Sequence, residues 1–214
     1  LDEWEIEGIL ALMGVMEIIG IAGSVSLLAG WRLYLSIFAT GLAMRLDAIP
    51  LPEHLQSLDV LANPWIMGIA AIAAVAEFFA DKVMWLDSAW DAVHTFVRPI
   101  GGALLALAIV DPSDPATQVV AFLLGGGAAL TAHAGKAGAR GVVNASPEPV
   151  SNVAVSTVED VATVGLLYLA YEFSYAAGAI ALVLLGLTVW LILTARRLIR
   201  SFFGAGKPVD PPSG

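Results

Sequence analysis

The sequence predicts an all-α, polytopic transmembrane helix bundle of about seven spans, and three observations carry that expectation. The 214 residues are 58% hydrophobic and only 14% charged, with a mean hydropathy of +0.83, whereas soluble domains carry about 25% charged residues. Apolar runs recur at Ile66–Phe79, Gly101–Val110, Gln118–Ala132, Val161–Ala170 and Ala176–Thr194, several near the ~20 residues a spanning helix needs. Backbone in lipid must satisfy its own polar groups, which leaves helices or a closed barrel. These runs are rich in Ala, Leu and Gly and lack strict apolar/polar alternation, so they read as helices.

Expected spans fall at 5–27, 29–46, 63–82, 87–110, 116–142, 152–171 and 175–200. Gly23 and Gly30 flank the first turn, and 47–63, with Pro50 and Pro52, reads as a loop. Asp111-Pro112-Ser113-Asp114-Pro115 is a breaker. Pro147 and Pro149 mark the next loop, and Glu172-Phe173-Ser174 the last turn. One transmembrane domain is expected over 1–204, followed by a flexible, proline-containing tail at 205–214. The first apolar segment follows Asp2, Glu3, Glu5 and Glu7 and does not resemble a signal peptide.

Cysteine is absent, which removes disulfides, thiolate nucleophiles and Cys-based metal sites. A formal charge of −9 argues against a nucleic-acid partner; the expected partners are the lipid bilayer and a small ion or solute, with a homo-oligomer left open. Lys and Arg favour the cytoplasmic side. With the N-terminus outside, Arg32, Lys82, Lys136, Arg140, Arg196, Arg197, Arg200 and Lys207 fall inside, and Arg45 outside. The expected location is therefore a bacterial inner (cytoplasmic) membrane, multi-pass, with a cytoplasmic C-terminus.

Ala74–Val83 (AVAEFFADKV) resembles Ser156–Gly165 (STVEDVATVG), which sets Glu77 over Glu159. Spans two to four would then match spans five to seven as an inverted repeat of three-helix units. Transporters commonly use that plan, with the site at the repeat interface.

Charged residues sit at membrane depth in patterned sets. Asp87, Asp91, His94 and Arg98 recur at i, i+4, i+7 and i+11, one stripe on one helix face. His133, Lys136, Arg140 and Asn144 form a second stripe. Glu77 and Asp81 lie four apart, and Glu159 and Asp160 sit in the sixth span. At that depth each charge costs at least ~2.5–3.5 kcal/mol, so these groups are expected to face one another or water. One reading is structural: the acidic stripe pairs with the basic one, and Asn144, Ser146, Ser151 and Asn152 cap helix ends. The other is a polar cavity or ion pathway. Among inner-half groups, Glu77, Asp81, Asp87, Asp91, Glu148, Glu159 and Asp160 outnumber Lys82, Arg98, Lys136 and Arg140, which favours a cation. His94 and His133 suit a proton relay. Asp87, Asp91 and His94 also have the spacing of a carboxylate/imidazole site for a divalent metal ion. Gly125-Gly126-Gly127 reads as a close-packing device, and Trp190 as lipid-facing.

Asp87–Ala103 (DSAWDAVHTFVRPIGGA) and His133–Asn152 (HAGKAGARGVVNASPEPVSN) resemble an uncharacterised bacterial membrane family, domain of unknown function 4126. The first motif of that family, approximately D-x-x-W-D-x-x-H-T-F-x-R-P, falls on Asp87, Trp90, Asp91, His94, Thr95, Phe96, Arg98 and Pro99. The second falls on His133, Lys136, Arg140, Asn144, Ser146, Pro147, Glu148, Pro149, Ser151 and Asn152. Glu77–Lys82 is similar as well, and the likeness extends over about residues 8–200. Where the family tends to have a small-Gly-x-Asn-Ala-Tyr stretch, this chain reads Ala29-Gly30-Trp31-Arg32-Leu33-Tyr34, with Arg32 in place of the amide. The resemblance implies a multi-span membrane protein and brings no activity. Three functions stay open: a channel or secondary transporter for a cation or proton-coupled small solute, a non-catalytic scaffold or assembly subunit, and an intramembrane enzyme acting on a lipid or phosphorylated headgroup.

Overall fold

The computed structural model describes residues 3–48, 53–110, 113–144 and 149–203, and every element among them is helical. The order is α1 (Glu3–Arg45), a 3₁₀ helix η1 (Glu53–Ala62), α2 (Pro64–Ala80), α3 (Met84–Ile109), α4 (Pro115–Asn144), α5 (Pro149–Glu172) and α6 (Ser174–Phe203). Five of these are long and apolar enough to cross a membrane, and η1 with α2, bent by 67°, makes a sixth if taken as one broken span.

Local chemistry sets several boundaries. Asp47 ends α1 with φ 48°, a left-handed conformation that Asp tolerates better than most residues. The Ala48 amide then reaches back to the Ala43 carbonyl at 3.0 Å, as in a Schellman cap. Asn63 caps α2 by accepting from the Trp65 amide at 2.9 Å, with Pro64 as the first helical residue. Asp114 caps α4 through the Ala116 amide at 3.0 Å. The expected loop at 47–63 contains η1 instead, because Leu58 and Leu61 turn into the core and hold that segment against α1.

α1 is not one rod. Arg32 has φ −143° and ψ 74°, outside the helical region, and the packing on either side of it runs in opposite senses. Before the break, Gly20 lies against Gly178, Gly23 against Ala181 and Gly30 against Ala129 and Ala132, so residues 3–31 run parallel to α4 and α6. After it, Arg32 meets Ser156 while Thr40 meets the Tyr171 hydroxyl at 3.0 Å, so residues 33–45 run parallel to α5. Arg140 against Glu159 and Gly138 against Ala195 place α5 antiparallel to α4 and α6. α1 therefore doubles back at Arg32. Two arms thus stand where two N-terminal spans were expected, but their turn is moved, and Met13–Arg45 makes one candidate span rather than two. Gly23 and Gly30 are consumed by close helix contact, and the reversal falls on an arginine. The returning arm of 13 residues rises only about 20 Å, less than the ~30 Å hydrocarbon core.

Apolar side chains cover the outside. Trp65, Ile72, Phe96, Val161, Leu182, Val183 and Trp190 are all exposed, while ten charged or imidazole side chains among the described residues are buried. That inversion is what a lipid solvent selects. α3 and α4 pack closest, through glycine: a Cβ on Gly102 would stand 2.4 Å from Ala129 Cβ, and one on Gly125 would stand 2.5 Å from Ala106 Cβ. Gly127, by contrast, faces open space. Gly102→Val is thus expected to lower stability by about 1–3 kcal/mol through overpacking. Gly127→Ala should be neutral or raise it by up to about 1 kcal/mol through lower chain entropy. Thermal unfolding of the two variants in one detergent checks the contrast.

Candidate functional site

The reversal of α1 leaves the last carbonyls of its first arm without intrahelical donors. Two buried cations from other helices take their place. Arg98 of α3 donates to the Gly30 carbonyl at 3.3 Å, and Lys136 of α4 donates to the Trp31 carbonyl at 3.2 Å. Positive charge at the C-terminal end of a helix is also what the backbone dipole favours. The break and the basic residues around it therefore support each other.

Arg32 sits at the tip, 1% exposed, and gathers four carboxylates. It pairs with Asp81 and Glu77 (3.9 Å) from α2 and its following turn, and with Glu159 (3.4 Å) and Asp160 (3.0 Å) from α5. It also donates to the hydroxyl and carbonyl oxygens of Ser156 at 2.9 and 3.0 Å. Arg98 donates to Glu77 at 2.6 Å and lies 3.6 Å from Asp91. Lys136 stands 3.4 to 3.8 Å from Asp81, Glu159 and Glu77. Arg140 holds Glu159 at 3.0 Å and Asp81 at 3.2 Å, and donates to the Asp81 backbone carbonyl at 3.1 Å, pinning the α2–α3 turn.

The two expected stripes thus converge. Glu77, Asp81, Asp91, Arg98, His133, Lys136, Arg140, Glu159 and Asp160 belong to one network, with Asp87 buried beside it. Lys82 makes no ion pair with it among the described residues; it lies over the Phe78 ring and donates to the Phe78 carbonyl at 3.1 Å, within electrostatic reach of Asp160 and Asp81. The side chains of Asn144, Ser151 and Asn152, and the whole of Ser146 and Glu148, lie outside the described residues. Two members escaped the sequence reading. Arg32 is the hub, yet its segment read as an ordinary span start. Ser156 is one small residue in a run of small residues. The available signal was an arginine alone in an apolar stretch, Leu27 to Leu35, where insertion cost demands a partner.

Both buried histidines have hydrogen-bond partners at each ring nitrogen. Arg98 Nη1 donates to His133 Nδ1 at 2.7 Å. A guanidinium can only donate, so Nδ1 is unprotonated and the ring proton sits on Nε2, facing the Asp91 carbonyl (3.1 Å) and the Thr95 hydroxyl (3.0 Å). His94 lies 2.7 Å from the Trp90 carbonyl through Nδ1 and 3.0 Å from the Tyr34 hydroxyl through Nε2, stacked on Trp90. Both His94 nitrogens are therefore occupied. The expected metal set Asp87, Asp91 and His94 does not assemble: no group of three or more His, Asp or Glu side chains among the described residues is arranged to hold a metal ion. The helical spacing was right, but His94 turns toward α1 while Asp91 faces Arg98.

Four cations meet five carboxylates, and the two signs are not equally accessible. The side chains of Arg32, Arg98, Lys136 and Arg140 are at most 2% exposed, whereas Glu159 and Asp160 are 16% and 24% exposed. The reachable edge of the network is anionic.

The fold and network define a multi-span helical membrane protein with a buried polar core. The chain belongs to the family described as domain of unknown function (DUF4126), whose model matches residues 19–194. No curated protein and no solved structure matches it.

Asp81 tests the network directly. Asp81→Asn leaves Arg32, Lys136 and Arg140 short of the carboxylate they share. Breaking a buried ion network from one side costs about 3–5 kcal/mol. The variant should melt well below the parent protein in the same detergent, while Glu172→Gln, at the exposed end of α5, should not.

Proposed function

We propose that this protein is a membrane transporter or channel for a cation or a proton-coupled small solute, captured with its charged core closed. The carrying observation is the reversal of α1 at Arg32 inside the bundle, with its freed carbonyls and the surrounding ion network gathered from α2, α3, α4 and α5. Non-helical backbone at membrane depth is tolerated where it is buried in protein or lines a cavity, and broken helices at the midplane are a recurrent device of transporters. Glu77 and Glu159, the pair aligned by the suggested repeat, both contact Arg32 and Lys136, which supports a site at a repeat interface. The excess carboxylate and its accessible edge favour a cationic guest. A cation reaching Glu159 or Asp160 would compete with Arg32 and Arg140 for those carboxylates, the coupling that opening a closed core requires. His133 supplies a route for proton coupling. A proton on its Nδ1 would face the Arg98 donor at 2.7 Å, expelling one of the two. The membrane proposed is the bacterial inner membrane, with the C-terminus cytoplasmic. The first arm of α1 runs parallel to α6, and Arg196, Arg197 and Arg200 lie toward the Phe203 end of α6, which supports that end as the cytoplasmic one.

A second reading, a non-catalytic scaffold, is favoured by the extent of pairing within the core, and one measurement separates the two. Proteoliposomes holding the folded protein are challenged with monovalent, divalent and organic cations at several pH values. The expected result is cation flux that rises or falls with pH and is lost in His133→Gln, a near-isosteric change that removes the titrating ring. Folded protein without flux across the whole panel overturns transport in favour of the scaffold.

A further inference from the structure

A cavity of about 830 Å³ lies beside the ion network, between α2 and α5. Its floor is the returning arm of α1, through Leu35 and Phe38, and α1 packs against both flanking helices. The walls are almost wholly apolar: Ala71, Ala74, Val75 and Phe78 on α2, and Val161, Val164 and Gly165 on α5. Val75, Phe78, Val161 and Val164 are themselves exposed on the outer surface of the bundle. The groove therefore opens sideways among lipid-facing residues, where acyl chains would lie against it.

One end of this apolar groove is charged. Arg32, Glu77 and Asp160 complete its lining. Arg32 is sealed and already committed to carboxylates, while Asp160 keeps the largest exposure of any ion-paired member of the network. Glu77 is 1% exposed, and its Oε2 has no hydrogen-bond partner among the described residues. A buried carboxylate oxygen without a donor is costly, about 1–3 kcal/mol or more, and a ligand N–H would relieve it. Lys82, the neighbouring cation at the end of α2, does not line the groove; it is held over the Phe78 ring.

From this geometry we infer that the groove is a binding site for a membrane-borne amphiphile with an aliphatic chain and a primary ammonium head. The chain lies along the apolar walls of α2 and α5, and the ammonium meets Asp160 and the free oxygen of Glu77. The volume falls within the ~300–1,000 Å³ of small-molecule sites. An anionic head is disfavoured because the accessible charge is carboxylate. A fully apolar guest would leave the Glu77 oxygen unsatisfied. The inference deepens the transport reading by naming a substrate class and a lateral entry, but binding is testable without flux.

The test uses the full chain in phosphatidylcholine nanodiscs and three photoreactive diazirine alkyl probes of one chain length, ending in an amine, a carboxylate or an alcohol. After irradiation, labelled peptides are mapped. The amine probe is expected to label residues 71–78 and 161–165 about tenfold more than the carboxylate probe, the ratio that 1.4 kcal/mol produces. Val164→Trp, a change at an exposed position that fills the groove, should abolish this labelling while leaving labelling of the α6 lipid face intact. Asp160→Asn should bring amine and alcohol probes to parity. Equal labelling by amine and carboxylate, or amine labelling spread over all lipid-facing helices, overturns the proposal. Amine labelling without any cation flux would keep the site and sink the transporter. Flux of inorganic cations without amine labelling would do the reverse.

Discussion

Arg32 and its carboxylates are the interaction on which the rest of the structure depends. A guanidinium in the middle of an apolar helix is costly in lipid unless acids surround it. Here Asp81 and Glu77 arrive from α2 and its turn, and Glu159 and Asp160 from α5. Meeting both sets ties α1 to two helices that flank the groove without closing it. The same residue marks the reversal of α1, so the charge that needs solvation and the backbone that needs capping lie together. Arg98 and Lys136 satisfy the second need through the Gly30 and Trp31 carbonyls. The core is polar because the backbone breaks there, and the break is tolerated because the core is polar.

Buried ion pairs are weak evidence for stability, since desolvation can cancel their attraction. Apolar residues could pack this space more simply, so stability alone does not account for four cations and five carboxylates here. Imperfect satisfaction points the same way. Glu77 Oε2, Asp81 Oδ1, Arg98 Nε and Arg140 Nε are buried without hydrogen-bond partners among the described residues. Under the transport proposal, these spare acceptors and donors are where partners would exchange. The groove on its flank supplies the apolar approach to it.

Much of this was legible beforehand. The boundaries of α2 to α6 follow from apolar length and from breakers such as Asn63-Pro64 and Asp114-Pro115, which are local signals. The stripes on α3 and α4 follow from helical spacing, and insertion cost required them to face one another or water rather than lipid; the structure decides for one another. The Gly125–Gly127 run did serve close packing at its first two positions, against Ala106, Gly102 and Pro99. The metal triad failed because spacing on one helix fixes which face residues share, not which way each side chain turns. His94 found the Tyr34 hydroxyl and the Trp90 carbonyl, and Asp91 found Arg98.

The sequence by itself determined an all-helical membrane protein with an inward-facing charged core, because hydropathy and helical period are properties of single segments. Only the tertiary structure decided that α1 turns at Arg32 rather than at its glycines, that Arg32 stands at the centre of the network, and that a lateral groove ends on Glu77 and Asp160. Those features depend on how α2 and α5 stand apart across α1. That spacing comes from packing among distant segments, and no run of neighbouring residues encodes it.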